Sequence, residues 1–308
     1  MEKIFDLIVL GGGPAGLTAC LYARRFGLEV LLIEKLTLGG TINLTDRVDN
    51  YPGFPEGISG KELGSLLADH CQSYEAETVY DEVKRVAFEN NSYFLEGEFN
   101  IYQAKSLIYC TGTKPKTTGI AGEDKFYGRG VSFCAACDAY MFKDKEVAVI
   151  GGGDSAVVEA IYLASLSNKV YIIHRRNQLR AVKSLQDKLV KMENISIVWN
   201  SIPLKIIGEK EVAGLEIKNV KTEEIAFIPI KGVFIYVGET PQTELIKNLV
   251  NLDENGYILT DEFMQTSTPG LFIAGDVRKK PFRQIVTAVS DGAIAAFSAY
   301  HYLEEIKK

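Results

Sequence analysis

Residues 5–35 read FDLIVLGGGPAGLTACLYARRFGLEVLLIEK, and the fold follows from how this stretch divides. The run Phe5–Leu10 is short and apolar apart from Asp6, as expected of a parallel strand covered on both faces. Gly11, Gly13 and Gly16 then spell G-x-G-x-x-G. A helical stretch to Arg25 and a second apolar run, Val30–Ile33, closing on Glu34, complete a βαβ unit. Gly11 permits the tight turn, Gly13 lets the backbone approach a pyrophosphate resting on the helix N-terminus, and Gly16 lets helix and strand pack closely. Glu34 is placed to accept hydrogen bonds from a ribose diol. Strand, glycine loop, helix, second strand and terminal acid arrive in register, which marks a dinucleotide site.

The pattern returns in KEVAVIGGGDSAVVEAIYLASLSNKVYIIHRR, residues 145–176. Gly151, Gly153 and Ala156 give G-x-G-x-x-A between the apolar runs Val147–Ile150 and Val170–Ile173. Gly151 stands 140 positions after Gly11, and the residue 140 positions after Glu34 is His174. Further on, KSLIYCTGTKP (105–115) parallels KGVFIYVGETP (231–241) at an offset of 126. The first half carries the surplus in its Gly- and Pro-containing loop 38–57, LGGTINLTDRVDNYPGFPEG. Residues 78–104 and 195–230 hold short alternating runs around the turns ENNS and GEKE, which predict antiparallel additions. The long C-terminal helical stretch has no partner in the second half and is assigned to the first domain. The expected fold is α/β, with two Rossmann-like (three-layer ββα) dinucleotide-binding domains, the second inserted into the first. The expected spans are 1–113 with 244–308, and 114–243.

The two ribose positions differ in sign. Glu34 suits a plain diol and repels a 2′-phosphate. The second site instead offers HRRNQLR, with His174, Arg175, Arg176 and Arg180, and guanidinium groups bind phosphate through paired charge-assisted hydrogen bonds. This points to a non-phosphorylated dinucleotide in the first domain and NADP(H) in the second. Near the C-terminus, LFIAGD (271–276) ends a strand on Asp276, just before a helix beginning near Arg283. A carboxylate there suits a sugar-alcohol chain, and the helix N-terminus suits a ring that gains negative charge on reduction.

Between the halves lies SFCAACDAY, residues 132–140, with Cys134 and Cys137 two residues apart. Five cysteines in 308 residues are few and odd in number, which fits a reducing compartment. There a close pair is catalytic or metal-binding more often than structural. Zinc and iron–sulfur sites usually need four ligands, and neither a second C-x-x-C nor ligand spacing among His70, His174 and His301 supplies them. Cys20, Cys71 and Cys110 read as small buried hydrophobes. A net charge of −6 argues against nucleic acid or an anionic membrane surface as partner. The longest uncharged run, Leu7–Ala23, carries five Gly/Pro and makes a poor membrane span, and no signal peptide is evident. A cytoplasmic protein is expected.

GGGPAG, NYPGF, CAACD, GGGDSA, HRRNQLR, AGD and RQ occur in the order and spacing of low-molecular-weight thioredoxin reductases, of the FAD-dependent pyridine nucleotide-disulfide oxidoreductase family, and the chain resembles them over nearly its whole length. The resemblance implies a homodimeric enzyme in which NADPH reduces FAD, FAD reduces a Cys134–Cys137 disulfide, and the dithiol reduces oxidised thioredoxin, with rotation of the domains between two states. It implies FAD contacts at Gly11, Gly13, Ala15, Gly16, Glu34, Gly40, Asn50, Gly112, Gly275, Asp276, Arg283 and Gln284. NADPH contacts are implied at Gly153, Asp154, Ser155, His174, Arg175, Arg176 and Arg180. Asp138 becomes the acid that handles the dithiol proton, and Cys137 the sulfur nearer the flavin. The alternatives are a reductase of the same kind fed by ferredoxin or another donor, and one serving another thioredoxin-like or peroxiredoxin partner. Four positions depart from the family pattern: Thr41 stands for a glutamine, Cys110 for an alanine, Ala139 for a glycine, and Val158 for the first of two acids in the NADPH helix.

Overall fold

The structure, a computed structural model, describes residues 3–45, 48, 50–133 and 135–308, and of Ala136 and Cys137 the backbone alone. Cys134 and the Cys137 side chain therefore lie outside the described residues. The chain divides into one unit made of Met1–Lys114 and Thr240–Lys308 and another made of Pro115–Glu239.

The first unit begins with β1 (Ile4–Leu10), α1 (Pro14–Arg25), β2 (Val30–Glu34), α2 (Gly60–Gln72) and β3 (Glu77–Tyr80). It continues through β4 (Arg85–Glu89), β5 (Ser92–Glu96) and β6 (Ile101–Tyr109). The chain leaves along β7 (Thr113–Pro115).

The second unit holds α3 (Glu123–Phe126), β8 (Val131–Ser132), α4 (Ala135–Asp138), β9 (Glu146–Gly151), α5 (Asp154–Ala164), β10 (Lys169–Ile173), α6 (Lys183–Leu189) and β11 (Ile195–Val198). After β12 (Ser201–Gly208), β13 (Val212–Asn219), β14 (Ile225–Ile228) and β15 (Gly232–Tyr236), the chain returns along β16 (Glu239–Pro241). It finishes in the first unit with β17 (Leu271–Ile273) and the long helix α7 (Ile285–Ile306).

The internal repeat is visible in the sheets. In the first unit β3, β2, β1 and β6 lie side by side, with β17 also paired to β6. In the second the order is β11-β10-β9-β15-β8, the same arrangement with β8 in the place of β17. These strands run parallel. The additions are antiparallel: β4 and β5 extend β6, and β12-β13-β14 form a separate sheet. Residues 78–80 depart from the antiparallel expectation, because β3 pairs parallel with β2 and closes the doubly wound sheet.

The continuous apolar strands are explained by their two covered faces. From β1, Leu7 and Val9 enter one core with α1 and α7, while Phe5, Ile8 and Leu10 enter another with Tyr93 and Leu95 of β5. Asp6, the one charge in the strand, is paired with Lys105 at 2.9 Å. Helix α7 approaches α1 closely because its facing residues are small. A Cβ on Gly292 would fall 2.1 Å from the Ala15 carbonyl oxygen, and Ala295, Ala296 and Ala299 are buried.

Candidate active site: two glycine loops and a dithiol segment

Both glycine loops sit at the carboxyl ends of central strands, each opening a helix that no side chain caps. The first-turn N–H groups of such a helix, together with its dipole, favour an anion. In the first unit Gly11 has φ +107°, and a Cβ there would meet the Cys110 backbone at 2.5 Å. A Cβ on Gly16 would fall 1.8 Å from the Gly11 carbonyl oxygen. Gly13 is different: a Cβ there meets nothing within 4 Å, and Gly153 in the second unit has the same free space. These two glycines leave the room that a phosphate needs beside a helix N-terminus.

The remaining residues expected around the first loop take definite places. Glu34 accepts the Gly12 N–H on one carboxylate oxygen (2.7 Å) and the Leu36 N–H on the other (2.8 Å). Each oxygen keeps a second lone pair for a ribose hydroxyl. Gly40 packs on Gly13, and Gly112 is a left-handed turn, φ +66°, with open space beside it. Ala15 is buried, its Cβ 3.0 Å from the position of a Cβ on Gly275. Asn50 donates to the Gln284 side-chain amide oxygen, Oε1, at 2.8 Å and so ties the NYPGF loop to the start of α7. Arg283 lies 3.7 Å over the Tyr257 ring and donates to the Asp276 carbonyl oxygen.

Asp276 is held by a cluster that sequence reasoning missed. Asp291 of α7 is buried and accepts from the Gly275 N–H at 3.1 Å, Arg278 at 3.1 Å and Lys280 at 3.0 Å. Lys280 Nζ also lies 3.2 Å from Asp276 Oδ1, but off the hydrogen-bonding direction, so that buried oxygen has no hydrogen-bond partner. A buried acceptor left open in this way fits the hydroxyls of a sugar-alcohol chain. The missed signal was Asp291 itself, an acid inside the apolar run AVSDGAIAAF, since a buried charge requires partners.

The second loop opens into a cavity of about 360 Å³ lined by Gly151, Gly152, His174, Arg175, Arg176 and Arg180, and also by Thr118, Ile120, Ser201 and Pro203. The three arginines are exposed, whereas His174 is buried. Asp154 accepts the Val182 N–H at 2.8 Å, Ser155 is exposed in the first turn of α5, and Val158 stands exposed one turn further.

The dithiol segment belongs to this same unit. The Ala135 N–H, at the start of α4, donates to the Tyr236 hydroxyl at 2.8 Å. Tyr236 was also missed, although a hydroxyl at the end of a buried strand calls for a partner. Burial, then the charge of Glu159, with Asp138 adding to it, push the Tyr236 phenol well up, so it stays protonated. Asp138 is half-buried. Among the described residues no group of three or more His, Cys, Asp or Glu is placed to hold a metal.

Two dinucleotide loops and a C-x-x-C segment define a flavin- and nicotinamide-dependent disulfide oxidoreductase. The sequence profile of the pyridine nucleotide-disulphide oxidoreductase family matches residues 5–292, and the chain belongs to that family. It is 44% identical to a thioredoxin reductase of Listeria monocytogenes, over 100% of this chain and 96% of that one. The structure of Lactococcus lactis thioredoxin reductase overlays with a TM-score of 0.95 at 41% identity, covering 98% of this chain and 99% of the other. A ferredoxin-flavin thioredoxin reductase of Clostridium acetobutylicum is less similar, at 28% identity and TM-score 0.54 over 100% of both chains.

The glycines offer a direct check on the first loop. Gly13→Ala should change the melting temperature of the flavin-free protein little, because a helix N-cap Gly→Ala change costs less than about 1 kcal/mol. It should nevertheless abolish FAD retention by filling the phosphate space. Gly16→Ala should lower that melting temperature by several degrees, because overpacking costs about 1–3 kcal/mol. Calorimetry of both apo-variants alongside FAD titration separates the two; equal FAD affinity in Gly13→Ala and the parent would rule out this loop as the phosphate site.

Proposed function

We propose that the chain is an NADPH-dependent thioredoxin reductase that holds FAD in its first unit and works as a cytoplasmic homodimer. The observation that carries this reading is the placement of the C-x-x-C segment in the same unit as the arginine-lined nucleotide pocket. The other unit offers a glycine loop with open space at Gly13 and an open acceptor on Asp276. Gly13 and Gly153 in free space, and the exposed Arg175, Arg176 and Arg180 in charge, fit these groups.

A bound flavin supplies two-electron transfer from a nicotinamide hydride to a disulfide. The rest is done by the chain. A thiolate of the Cys134/Cys137 pair attacks the thioredoxin disulfide, giving a mixed disulfide and releasing one thioredoxin thiolate. The second cysteine then displaces the other thioredoxin sulfur, leaving an enzyme disulfide and a thioredoxin dithiol. Each departing thiolate needs a proton, and Asp138, directly after Cys137, is the acid to which the family resemblance gives that role. Tyr236 steadies the first turn of this segment through the Ala135 N–H. Tyr140 and Met141, which follow it, are 76% and 56% exposed and present apolar surface to a protein partner. The dithiol and the nicotinamide site share one unit, and the family resemblance supports rotation between two states during turnover.

Anaerobic titration tests the whole reading. One equivalent of NADPH should bleach the flavin absorbance, and oxidised thioredoxin should restore it. Bleaching by reduced ferredoxin but not by NADPH would sink the donor assignment. For the homodimer, the support besides the family resemblance is an apolar groove lined by Tyr22, Phe26, Phe263, Ile294 and Phe297 of the first unit. Phe297→Glu should convert the dimer to monomer in light scattering; an unchanged mass would exclude this face as the interface.

A further inference from the structure

In each unit one polar side chain, at the end of the second strand of the motif, folds back onto the glycine loop. Glu34 does so as an acceptor, taking the N–H groups of Gly12 and Leu36. At the equivalent place His174 meets only carbonyls: Nδ1 lies 2.9 Å from the Gly151 oxygen and Nε2 lies 2.9 Å from the Gln178 oxygen. The middle glycine of each GGG makes room for this side chain. A Cβ on Gly12 would fall 3.1 Å from Glu34 Oε2, and one on Gly152 would fall 2.2 Å from the His174 ring.

We propose that His174 is a positioning residue rather than a phosphate ligand, a two-ended clamp that bolts the glycine loop to the arginine loop and so sets where Arg175, Arg176 and Arg180 stand. This rests on the reading of the pocket as the NADPH site. Each ring nitrogen lies at hydrogen-bonding distance from a backbone carbonyl oxygen, one on each loop. With both ring nitrogens facing loop carbonyls, neither faces a phosphate oxygen. The ring is 5% exposed. Around it stand Arg175, Arg176 and Arg180 on the loop, the Trp199 ring at 6.1 Å, and the Gly152 backbone. The loop is tied down further by the Arg180 and Ala181 N–H groups on the Gly152 oxygen (2.7 and 3.2 Å) and by Val182 on Asp154. Every tie leads to the phosphate-binding turn. Loosening His174 therefore disturbs the pyrophosphate cradle and the arginines together, and penalises both nicotinamide dinucleotides. Removing an arginine penalises only the 2′-phosphorylated one.

Two measurements test this on the FAD-loaded protein. The chain has three histidines, so side-chain ¹⁵N spectra are simple, and H174Q identifies the signal. Saturation with NADP⁺ should leave both His174 nitrogen signals nearly where they stand with NAD⁺; a shift of either that only the 2′-phosphorylated dinucleotide causes overturns the proposal, and this result needs no variant to fold. In equilibrium binding of NADP⁺ and NAD⁺, His174→Gln, which keeps one donor, should weaken both by a similar factor of about tenfold or more. Arg175→Ala should weaken NADP⁺ alone. Loss of NADP⁺ alone in His174→Gln makes the histidine a phosphate ligand, and no loss of either makes it inert; each overturns the proposal. A parent protein that prefers NAD⁺ would instead overturn the NADPH reading, while the equal loss in His174→Gln would still support the clamp.

Discussion

Cys137→Ser is expected to reduce the rate of thioredoxin reduction by about a thousandfold or more, the scale on which loss of a covalent nucleophile acts. NADPH should still bleach the flavin in that variant at close to the parental rate. Serine keeps the size and the hydrogen-bonding capacity of the position but can form no disulfide, so only the sulfur-to-sulfur step is lost. The other cysteines offer no substitute. Cys20 and Cys71 are fully buried and Cys110 nearly so. Burial, and after it the Asp291 carboxylate, push the Cys110 thiol well up. A hydrogen bond to Cys71, and then burial, do the same for Cys20. A thiol held protonated is a poor nucleophile. Stopped-flow absorbance under anaerobic conditions separates the two half-reactions. Thioredoxin reduction by Cys137→Ser at more than a small fraction of the parental rate would defeat the dithiol relay.

Some features of this fold and site were legible in the sequence because they depend on local backbone requirements. Gly11, Gly16 and Gly151 are forced by contacts of 1.8 to 2.7 Å that any Cβ would make, so the loops declare themselves wherever a strand precedes them. The continuous apolar runs of β1 and β9 follow from two buried faces, and the offset of 140 aligned Glu34 with His174, which the structure puts at equivalent places. What escaped reading depends on contacts between different elements, near or far in the chain. Asp291 joins Gly275, Arg278 and Lys280 only once α7 lies against the end of β17. Tyr236 meets Ala135 across 101 positions, which no spacing rule connects. His174 was read as a dinucleotide contact from the 140-position offset and the family resemblance, and that register does not show the two carbonyls its ring meets, Gly151 and Gln178.

The second large effect is expected at the arginine loop. Arg175→Ala combined with Arg176→Ala should weaken NADPH by about 10² to 10⁴-fold, because each charge-assisted hydrogen bond to phosphate contributes about 1.5–3 kcal/mol. Affinity for NADH should change little, so the preference between the two donors should collapse by nearly the same factor. The structure supports a clean separation. Both side chains are exposed and line the pocket, and neither holds the glycine loop, which is tied instead by His174, Arg180 N–H, Ala181 N–H and Asp154. Removing two guanidinium groups therefore takes away ligands without unfastening the cradle. Salt provides an independent handle, since exposed charges at this distance from bulk water are screened within about 8 Å at physiological ionic strength. The parental preference for NADPH should shrink as salt is raised, and the double variant should show little salt dependence. Steady-state kcat/KM with each donor at two salt concentrations is the measurement. A double variant that keeps its NADPH preference would move the 2′-phosphate away from Arg175 and Arg176 and leave Arg180 to account for it.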